Sequence, residues 1–336
     1  MSTLTNQQKY ENNKCVKLIC GASNEDLASI EDLCAIYSAA GVDYIDIAAD
    51  PSVADAARSG INWSMERFGN IPKLMVSISD GKDIHFRKAT FNPSICPEDC
   101  PRPCEKICPT FAINHDGINK DKCYGCGRCI NSCPLNLISE YEYRLSQNSL
   151  KDILQTIKPD AIEIHTAINR AESFKKVAKI IKNSRINLKS ISVSCGLSQS
   201  NAETSDLIRT FWERYSILKE HGAQLIWQLD GRPMSGDLAA SATKAAVKLW
   251  ETMRNDLPPG LIQLAGGTNG NTYKLFKSNK LPDGIAFGGA ARKLVQPIIE
   301  DSLRKNQKIY ENPEKMHIAI TKAKALMNPW KNKKEI

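Results

Sequence analysis

The sequence predicts an α/β chain on a parallel sheet that closes into an eight-stranded barrel and is interrupted once by a cysteine-rich insertion. Three observations carry this expectation. Eight short β-rich runs alternate with amphipathic helical segments along most of the 336 residues, as parallel βα architecture requires. The count of eight, with roughly 280 residues left after the insertion is removed, fits a (β/α)8 barrel of the TIM type better than an open doubly wound sheet. Eight of the twelve cysteines fall between residues 96 and 133, and they separate the third strand from the fourth. The expected organisation is a first barrel segment at 14–83, the insert at 84–140, a second barrel segment at 141–300 and a basic C-terminal helix and tail at 301–336.

The expected strands, in order, are Val16–Cys20, Tyr44–Ala48, Lys73–Ser77, Ala161–His165, Ser190–Ser194, Gln224–Leu229, Leu261–Ala265 and Gly284–Phe287. After the first comes a helix capped from Ser23-Asn-Glu-Asp26, with Leu27, Ile30, Cys34 and Tyr37 at helical spacing. Leu207, Phe211, Tyr215 and Leu218 mark a second amphipathic helix, and Leu238, Ala242, Ala245, Leu249 and Met253 a third. Three similar phrases precede strands: Ala-Gly41-Val-Asp-Tyr, His-Gly222-Ala-Gln-Leu and Pro-Asp283-Gly-Ile. In each the glycine is expected to end a helix in the left-handed conformation.

Within the insert, Cys123-Tyr-Gly-Cys126-Gly-Arg-Cys129-Ile-Asn-Ser-Cys133-Pro134 is the bacterial ferredoxin pattern. In it three close thiolates grip one cubane and the fourth reaches a second cluster. Gly125 and Gly127 let the chain wrap tightly enough for three sulfurs to converge, and Pro134 stiffens the exit. The preceding run, Cys96-Pro-Glu-Asp-Cys100-Pro-Arg-Pro-Cys104-Glu-Lys-Ile-Cys108-Pro109, repeats the ending with longer gaps. The halves also rhyme downstream, Cys108-Pro-Thr-Phe-Ala-Ile113 against Cys133-Pro-Leu-Asn-Leu-Ile138, which is what a pseudo-twofold two-cluster ferredoxin-like module leaves in sequence. Cluster one is therefore assigned to Cys123, Cys126, Cys129 and Cys108, and cluster two to Cys96, Cys100, Cys104 and Cys133. Both are expected as [4Fe-4S], with [3Fe-4S] the alternative at the stretched second site. Structural zinc is the competing reading of four-cysteine sites, but two C-x3-C-P halves are better explained by iron–sulfur. Cys15, Cys20 and Cys34 are expected as buried core thiols.

A loop after the third barrel strand lies on the C-terminal face, where barrels build their active sites, so the clusters are expected to overhang the mouth. Two late loops look chemical: Gly266, Gly267, Thr268 and Asn269 after the seventh strand, and Gly288, Gly289 and Arg292 after the eighth. Backbone N–H groups at a helix N-terminus make an anion cradle, and barrels often use these two loops for phosphate; tight βα turns are the equal alternative reading of the glycines. Asp50, Asp80, His165, Cys195, Asp230 and Arg232 stand at or just beyond predicted strand ends as pocket candidates. No nucleophile–base pair is legible, so catalytic residues stay unassigned. A phosphate-bearing ligand such as flavin mononucleotide is the natural guess for the mouth.

Composition narrows the class. With 24% charged and 42% hydrophobic residues, disorder and fibrous repeats are excluded, and no apolar run is long enough for a membrane span. The polar N-terminus carries no apolar signal core, so a cytoplasmic protein is expected, its cysteines serving metal or catalysis rather than disulfides. The net charge of +8 is concentrated after residue 290 and ends in Lys331, Lys333 and Lys334. That run is expected to be a solvated helix with a frayed end. Without an aromatic-interleaved basic stripe, no nucleic-acid partner is expected.

Several phrases together resemble the cyanobacterial light-dependent period protein family (LdpA). They are Lys17-Leu-Ile-Cys-Gly-Ala-Ser23, Ile45-Asp-Ile-Ala-Ala-Asp-Pro51, His85-Phe-Arg-Lys-Ala89, Cys96-Pro-Glu-Asp-Cys-Pro-Arg-Pro-Cys104, Asp160-Ala-Ile-Glu-Ile-His-Thr166, Leu225-Ile-Trp-Gln-Leu-Asp-Gly-Arg-Pro-Met-Ser-Gly-Asp237 and Gln263-Leu-Ala-Gly-Gly-Thr-Asn269. The resemblance implies an iron–sulfur redox sensor in the input pathway of the circadian clock, working through clock input proteins or electron-transfer partners. It places the cluster ligands on the eight cysteines of the insert and carries over no catalytic residue. The alternative is an iron–sulfur oxidoreductase with a flavin mononucleotide-like cofactor in the barrel mouth.

Overall fold

The computed structural model describes residues 14–143, 145–197, 202–231, 240–276 and 280–331. In chain order, β1 (Cys15–Gly21), α1 (Leu27–Ala40), β2 (Tyr44–Ala48), α2 (Pro51–Phe68) and β3 (Lys73–Ser79) open the barrel. The insertion follows: β4 (Arg87–Thr90), α3 (Pro103–Ile107), β5 (Ile113–Asn114), β6 (Gly117–Ile118), α4 (Arg128–Ser132) and β7 (Ser139–Glu142). The barrel resumes with α5 (Gln147–Ile157), β8 (Ala161–His165), α6 (Ala171–Ser184), β9 (Ser190–Cys195), α7 (Thr204–Leu218), β10 (Gln224–Asp230), α8 (Lys244–Met253), β11 (Leu261–Ala265), β12 (Gly284–Phe287), α9 (Gly289–Leu303) and α10 (Pro313–Lys331). The parallel strands β1, β2, β3, β8, β9, β10, β11 and β12 close on one another through the pairing of β12 with β1. All eight expected strands are present. Four run further at the mouth, to Gly21, Ser79, Cys195 and Asp230.

Alternation along the strands builds two cores. One set of side chains faces the helices and joins Leu18, Ile45, Val76, Ile162, Val193 and Trp227 to the helical apolar faces. The other set fills the barrel. At its closed end Cys15, Tyr44, Met75, Ala161, Ile226 and Leu261 form an apolar plug. Two residues along, seven of the eight strands carry a polar filling: Lys17, Asp46, Ser77, Glu163, Ser192, Gln228 and Gln263 are all buried.

The helix signals hold locally. Asp26 caps α1 by accepting from Ser29 N at 3.3 Å, and Gly41 (φ 95°) and Gly222 (φ 80°) are left-handed as expected. Gly284 is a correction: it opens β12 without a positive φ, and its small size matters because a Cβ there would stand 2.9 Å from the Cys15 carbonyl. Leu238, expected in a helix, lies outside the described residues, and the segment from Ala240 starts with a 3-10 turn before α8. The basic C-terminal run also differs from expectation. Helix α10 is not merely solvated, because Met316, Ala319, Ile320, Ala323, Met327 and Trp330 bury one face, while Lys333 and Lys334 lie outside the described residues. Helix α9 continues to Leu303, across the expected boundary at 300. No helix among the described residues is long and apolar enough to cross a membrane.

Candidate metal centre and barrel mouth

The insertion has the internal symmetry that its repeat predicts. Helices α3 and α4 each begin after a left-handed residue, Arg102 (φ 49°) and Gly127 (φ 75°), and each ends at a Cys-Pro step, Cys108 and Cys133. Three residues further, Phe111 and Asn136 share a φ of 52°. These turns aim matching backbone donors at sulfur: Ala112 N lies 3.2 Å from Cys108 Sγ and Leu137 N lies 3.4 Å from Cys133 Sγ. Ala89 N on β4 reaches Cys123 Sγ at 3.5 Å. Such N–H groups stabilise thiolate sulfur.

The thiols fall into groups. Cys108, Cys123, Cys126 and Cys129 line one small cavity with Ala89 and Ile113. Burial first, and then the charges of Cys126, Cys123 and Cys108, push the Cys129 thiol up to about 12. Cys104 is raised by burial and by the charges of Cys133 and Cys100, so these three thiols lie near one another. Cys96 stands half-buried at the end of the 3-10 turn Pro93–Ile95. Around Cys133 burial works the other way, yet the N–H groups of Leu137 and Leu135 hold its thiol below the usual value. Thiols that repel one another when ionised and accept N–H bonds are a donor set for polynuclear iron.

The loop between Cys123 and Cys129 sits tight against β4. Gly125 (φ 71°) has no space for a side chain, since a Cβ would come within 2.0 Å of the Arg87 carbonyl oxygen. Arg87 Nε in turn donates to Gly125 O at 3.0 Å. So fixed, the loop roofs the barrel mouth. A cleft of about 960 Å3, part of it open to solvent, is walled by Tyr124, Cys126 and Arg128 from the insertion. Its other walls are Gly266, Gly267, Thr268, Asn269, Gly288, Gly289 and Arg292, and its floor includes Ser77, His85, Glu163, His165, Gln228 and Asp230. Arg292 stacks on the Tyr124 ring at 4.0 Å, joining barrel to roof.

Electrostatically the floor is one network. Lys17 and Glu163, both fully buried, form an ion pair. Glu163 also accepts from Ser192 at 2.9 Å and Gln228 at 3.0 Å, and faces His165 Nε2 at 3.2 Å. Burial alone would raise the Glu163 carboxyl; Lys17 and His165 hold it well below the ordinary range. Although burial works against it, the Glu163 bond and then the Asp83 charge bring His165 up to about 9. Burial, reinforced by the Glu163 charge, lifts Asp46 to about 7, and burial raises Asp230, which bonds Ser194. The His85 ring packs on His165 with centroids 4.8 Å apart and bonds Asp83 at 2.7 Å. An acid held ionised thus sits beside acids whose pKa burial raises, an arrangement that can hold or pass a proton.

Of the residues singled out in the sequence, His165, Asp230 and the two glycine-containing loops with Arg292 meet in this cleft. Asp50 does not join it: it caps α2, accepting from Ser52 N at 2.8 Å and Val53 N at 3.0 Å, and lines a separate cleft. Asp80 is buried against Thr166 and Arg170. Cys195 is buried outside the cleft walls, its thiol pushed up to about 12 chiefly by burial, which leaves it inert. Arg232 lies outside the described residues. The sequence reading missed Lys17, Glu163, Gln228, His85, Tyr124 and Arg128 as site residues. For the first three a signal existed, since a polar residue in the middle of an otherwise apolar barrel strand marks an inward polar layer.

Comparison with known proteins places this arrangement. The family model for the Light dependent period A C-terminal domain matches residues 153–329, and that for the LdpA Fe-S cluster-binding domain matches residues 96–144. Light dependent period A of Synechococcus elongatus is 40% identical over 324 residues, 94% of this chain and 90% of that protein. The chain belongs to the light dependent period A family. As a member of the LdpA family it carries the family's Fe-S cluster-binding domain, with all eight insert cysteines inside the match. The iron–sulfur subunit ArrB of the arsenate respiratory reductase of a Shewanella species is 42% identical over 57 residues, 16% of this chain and 24% of that protein. Among solved structures, the YdjI aldolase of Escherichia coli aligns with TM-score 0.49 and 7% identity over 97% of this chain and 94% of its own. Tryptophan synthase of Mycobacterium tuberculosis aligns at 0.45 and 9%, over 97% and 96%. The barrel of this LdpA relative rests on its own strand pairing rather than on those likenesses.

Proposed function

We propose that this chain is a redox-sensing iron–sulfur protein that adjusts circadian clock period to photosynthetic redox state. In this reading Cys108, Cys123, Cys126 and Cys129 hold one [4Fe-4S] cluster and Cys96, Cys100, Cys104 and Cys133 hold a second, which is [3Fe-4S] if Cys96 does not ligate. When bound, such a cluster exchanges one electron and so changes its charge by one unit. The observation that carries the reading is the shared wall: Cys126 and its neighbours Tyr124 and Arg128 line the barrel mouth. In this reading the contacts of Arg292 with Tyr124 and of Arg87 with Gly125 would carry a change at that loop to the barrel and to β4. A sensor requires two states that differ in partner affinity. Ile95, Ile107, Phe111 and Leu135 are exposed near the cysteines in the chain, apolar area that a clock input protein or an electron-transfer partner would cover.

The test is complementation in a cyanobacterial cell whose own family member is deleted. Restoring the chain should restore light-dependent adjustment of period, and Cys126→Ser should abolish it. Equal adjustment by both forms would overturn the reading.

A second reading is favoured by the titratable floor under the same roof. In it the protein is an oxidoreductase with a flavin mononucleotide-like cofactor in the cleft, His165 and Asp230 handling protons. Flavin released on denaturing anaerobically purified protein would put this reading first.

A further inference from the structure

Three side chains that line the barrel mouth, Arg128, Gln228 and Arg292, each bury a polar atom without a partner. Arg292 is 8% exposed, and its Nε is buried without a partner even though Nη1 donates to Ile19 O at 3.0 Å. Arg128, from the insertion, also buries an unpartnered Nε. Gln228, 1% exposed, keeps its Oε1 unpartnered. All three side chains line the same cleft. Buried polar groups left unbonded cost about 1–3 kcal/mol each, so these groups mark where a ligand completes the bonding.

The surrounding backbone specifies the charge of that ligand. Helix α9 starts at the same wall with Gly288 as its N-cap and no side-chain cap. Its first intrahelical bond is Arg292 N to Gly288 O at 3.1 Å, so the N–H groups of Gly289, Ala290 and Ala291 have no acceptor within the helix. Opposite, Gly266 and Gly267 are left-handed, and Gly267 is pressed to 2.8 Å from the Ala242 carbonyl, measured from where a Cβ would lie. The carboxylates of the cleft do not compete, because Glu163 is held by Lys17, His165 and Gln228 and Asp230 by Ser194.

We infer that the barrel mouth binds a phosphate monoester, its phosphate clamped between the α9 N-terminus with Arg292 and the insertion's Arg128, and that this ligand tunes the redox state of the adjacent cysteine loop. The tuning half rests on the redox reading above. A dianion beside the Cys126 loop disfavours added negative charge, so the oxidised protein binds it more tightly. By linkage the ligand lowers the midpoint potential in the same proportion. A tenfold preference corresponds to 59 mV for one electron.

Calorimetric titration of anaerobically purified protein with inorganic phosphate and with flavin mononucleotide tests the binding half. Saturable binding is expected, at least tenfold weaker in Arg292→Gln and in Arg128→Gln and unchanged in the distant Arg304→Gln, with iron and sulfide content equal in all. No binding by wild type, or wild-type affinity in both cleft variants, overturns the proposal; tighter binding of the nucleotide than of phosphate supports an organic ester. Two variants on separate elements guard against misfolding of one. The potential of the holoprotein with and without phosphate then tests the tuning: a lowered value supports it and an unchanged value overturns it. Protein that binds phosphate but contains no iron or sulfide would instead refute the redox reading and leave the clamp standing.

Discussion

His165 is held by partners from four directions: Glu163 on its own strand, Asp83 and His85 from the start of the insertion, and Asp230 across the barrel. Its pKa of about 9 against 6.5 unfolded means that its contribution is complete below about pH 6.5 and is lost as pH rises through 9. Two and a half pK units correspond to roughly 3 kcal/mol. Asp46, raised from 3.8 to about 7, costs stability as pH rises between those values, so its loss lies below neutrality and the loss from pH 6.5 to pH 9 belongs to His165. Denaturant titrations at pH 6.5 and pH 9 should show this loss, with His165→Asn flattening it; an equally steep loss in the variant would contradict the assignment. At Gly125 a side chain must displace the Arg87 carbonyl. Gly125→Ala should therefore lose the iron of cluster one while the barrel's circular dichroism persists, and full iron content would contradict the packing argument. Residue identity alone could not sort the acids at strand ends. Asp50 and Asp230 look alike in sequence, yet one caps a helix and the other floors the cleft, because the βα turn decides which way the side chain points.

At the scale of elements, the cysteine repeat was fully legible because ligand spacing is a local, covalent constraint. What followed from it, the paired turns at Phe111 and Asn136 with N–H groups on sulfur, was visible only as a rhyme. Crossed ligation makes a clear prediction. Cys108→Ser should damage the same cluster as Cys129→Ser, and Cys133→Ser the same one as Cys104→Ser, as read by electron paramagnetic resonance of the remaining signal; pairing within each run instead would contradict it. Helix α10 shows the opposite case. Its lysines suggested a solvated helix, but Met316, Ile320, Ala323, Met327 and Trp330 recur at helical spacing and pack on the barrel. Trp330 meets Tyr273 and Phe276 at ring distances of 5.6 and 5.9 Å. Trp330→Ala should cost about 3–5 kcal/mol, measured by urea denaturation; a loss below 1 kcal/mol would mean the helix is dispensable.

At the scale of the whole molecule, strand count and alternation were enough to give the barrel, since its strands are short and mostly apolar and its flanking helices bury apolar residues. The roof over the mouth was legible only in outline. An insertion after the third strand must emerge at the active face of a barrel, but contact between the Cys123–Cys129 loop and the loops of β11 and β12 depends on Tyr124 meeting Arg292 across residues far apart in the chain. The proposed function stands or falls on redox-active metal in this roof. The most direct measurement is an absorption spectrum of anaerobically purified protein before and after dithionite, with iron, zinc and acid-labile sulfide assayed on the same sample. Broad visible absorption that bleaches on reduction, with iron and sulfide in near-equal amounts, is the predicted result. Zinc without sulfide, and no visible absorption, would contradict it.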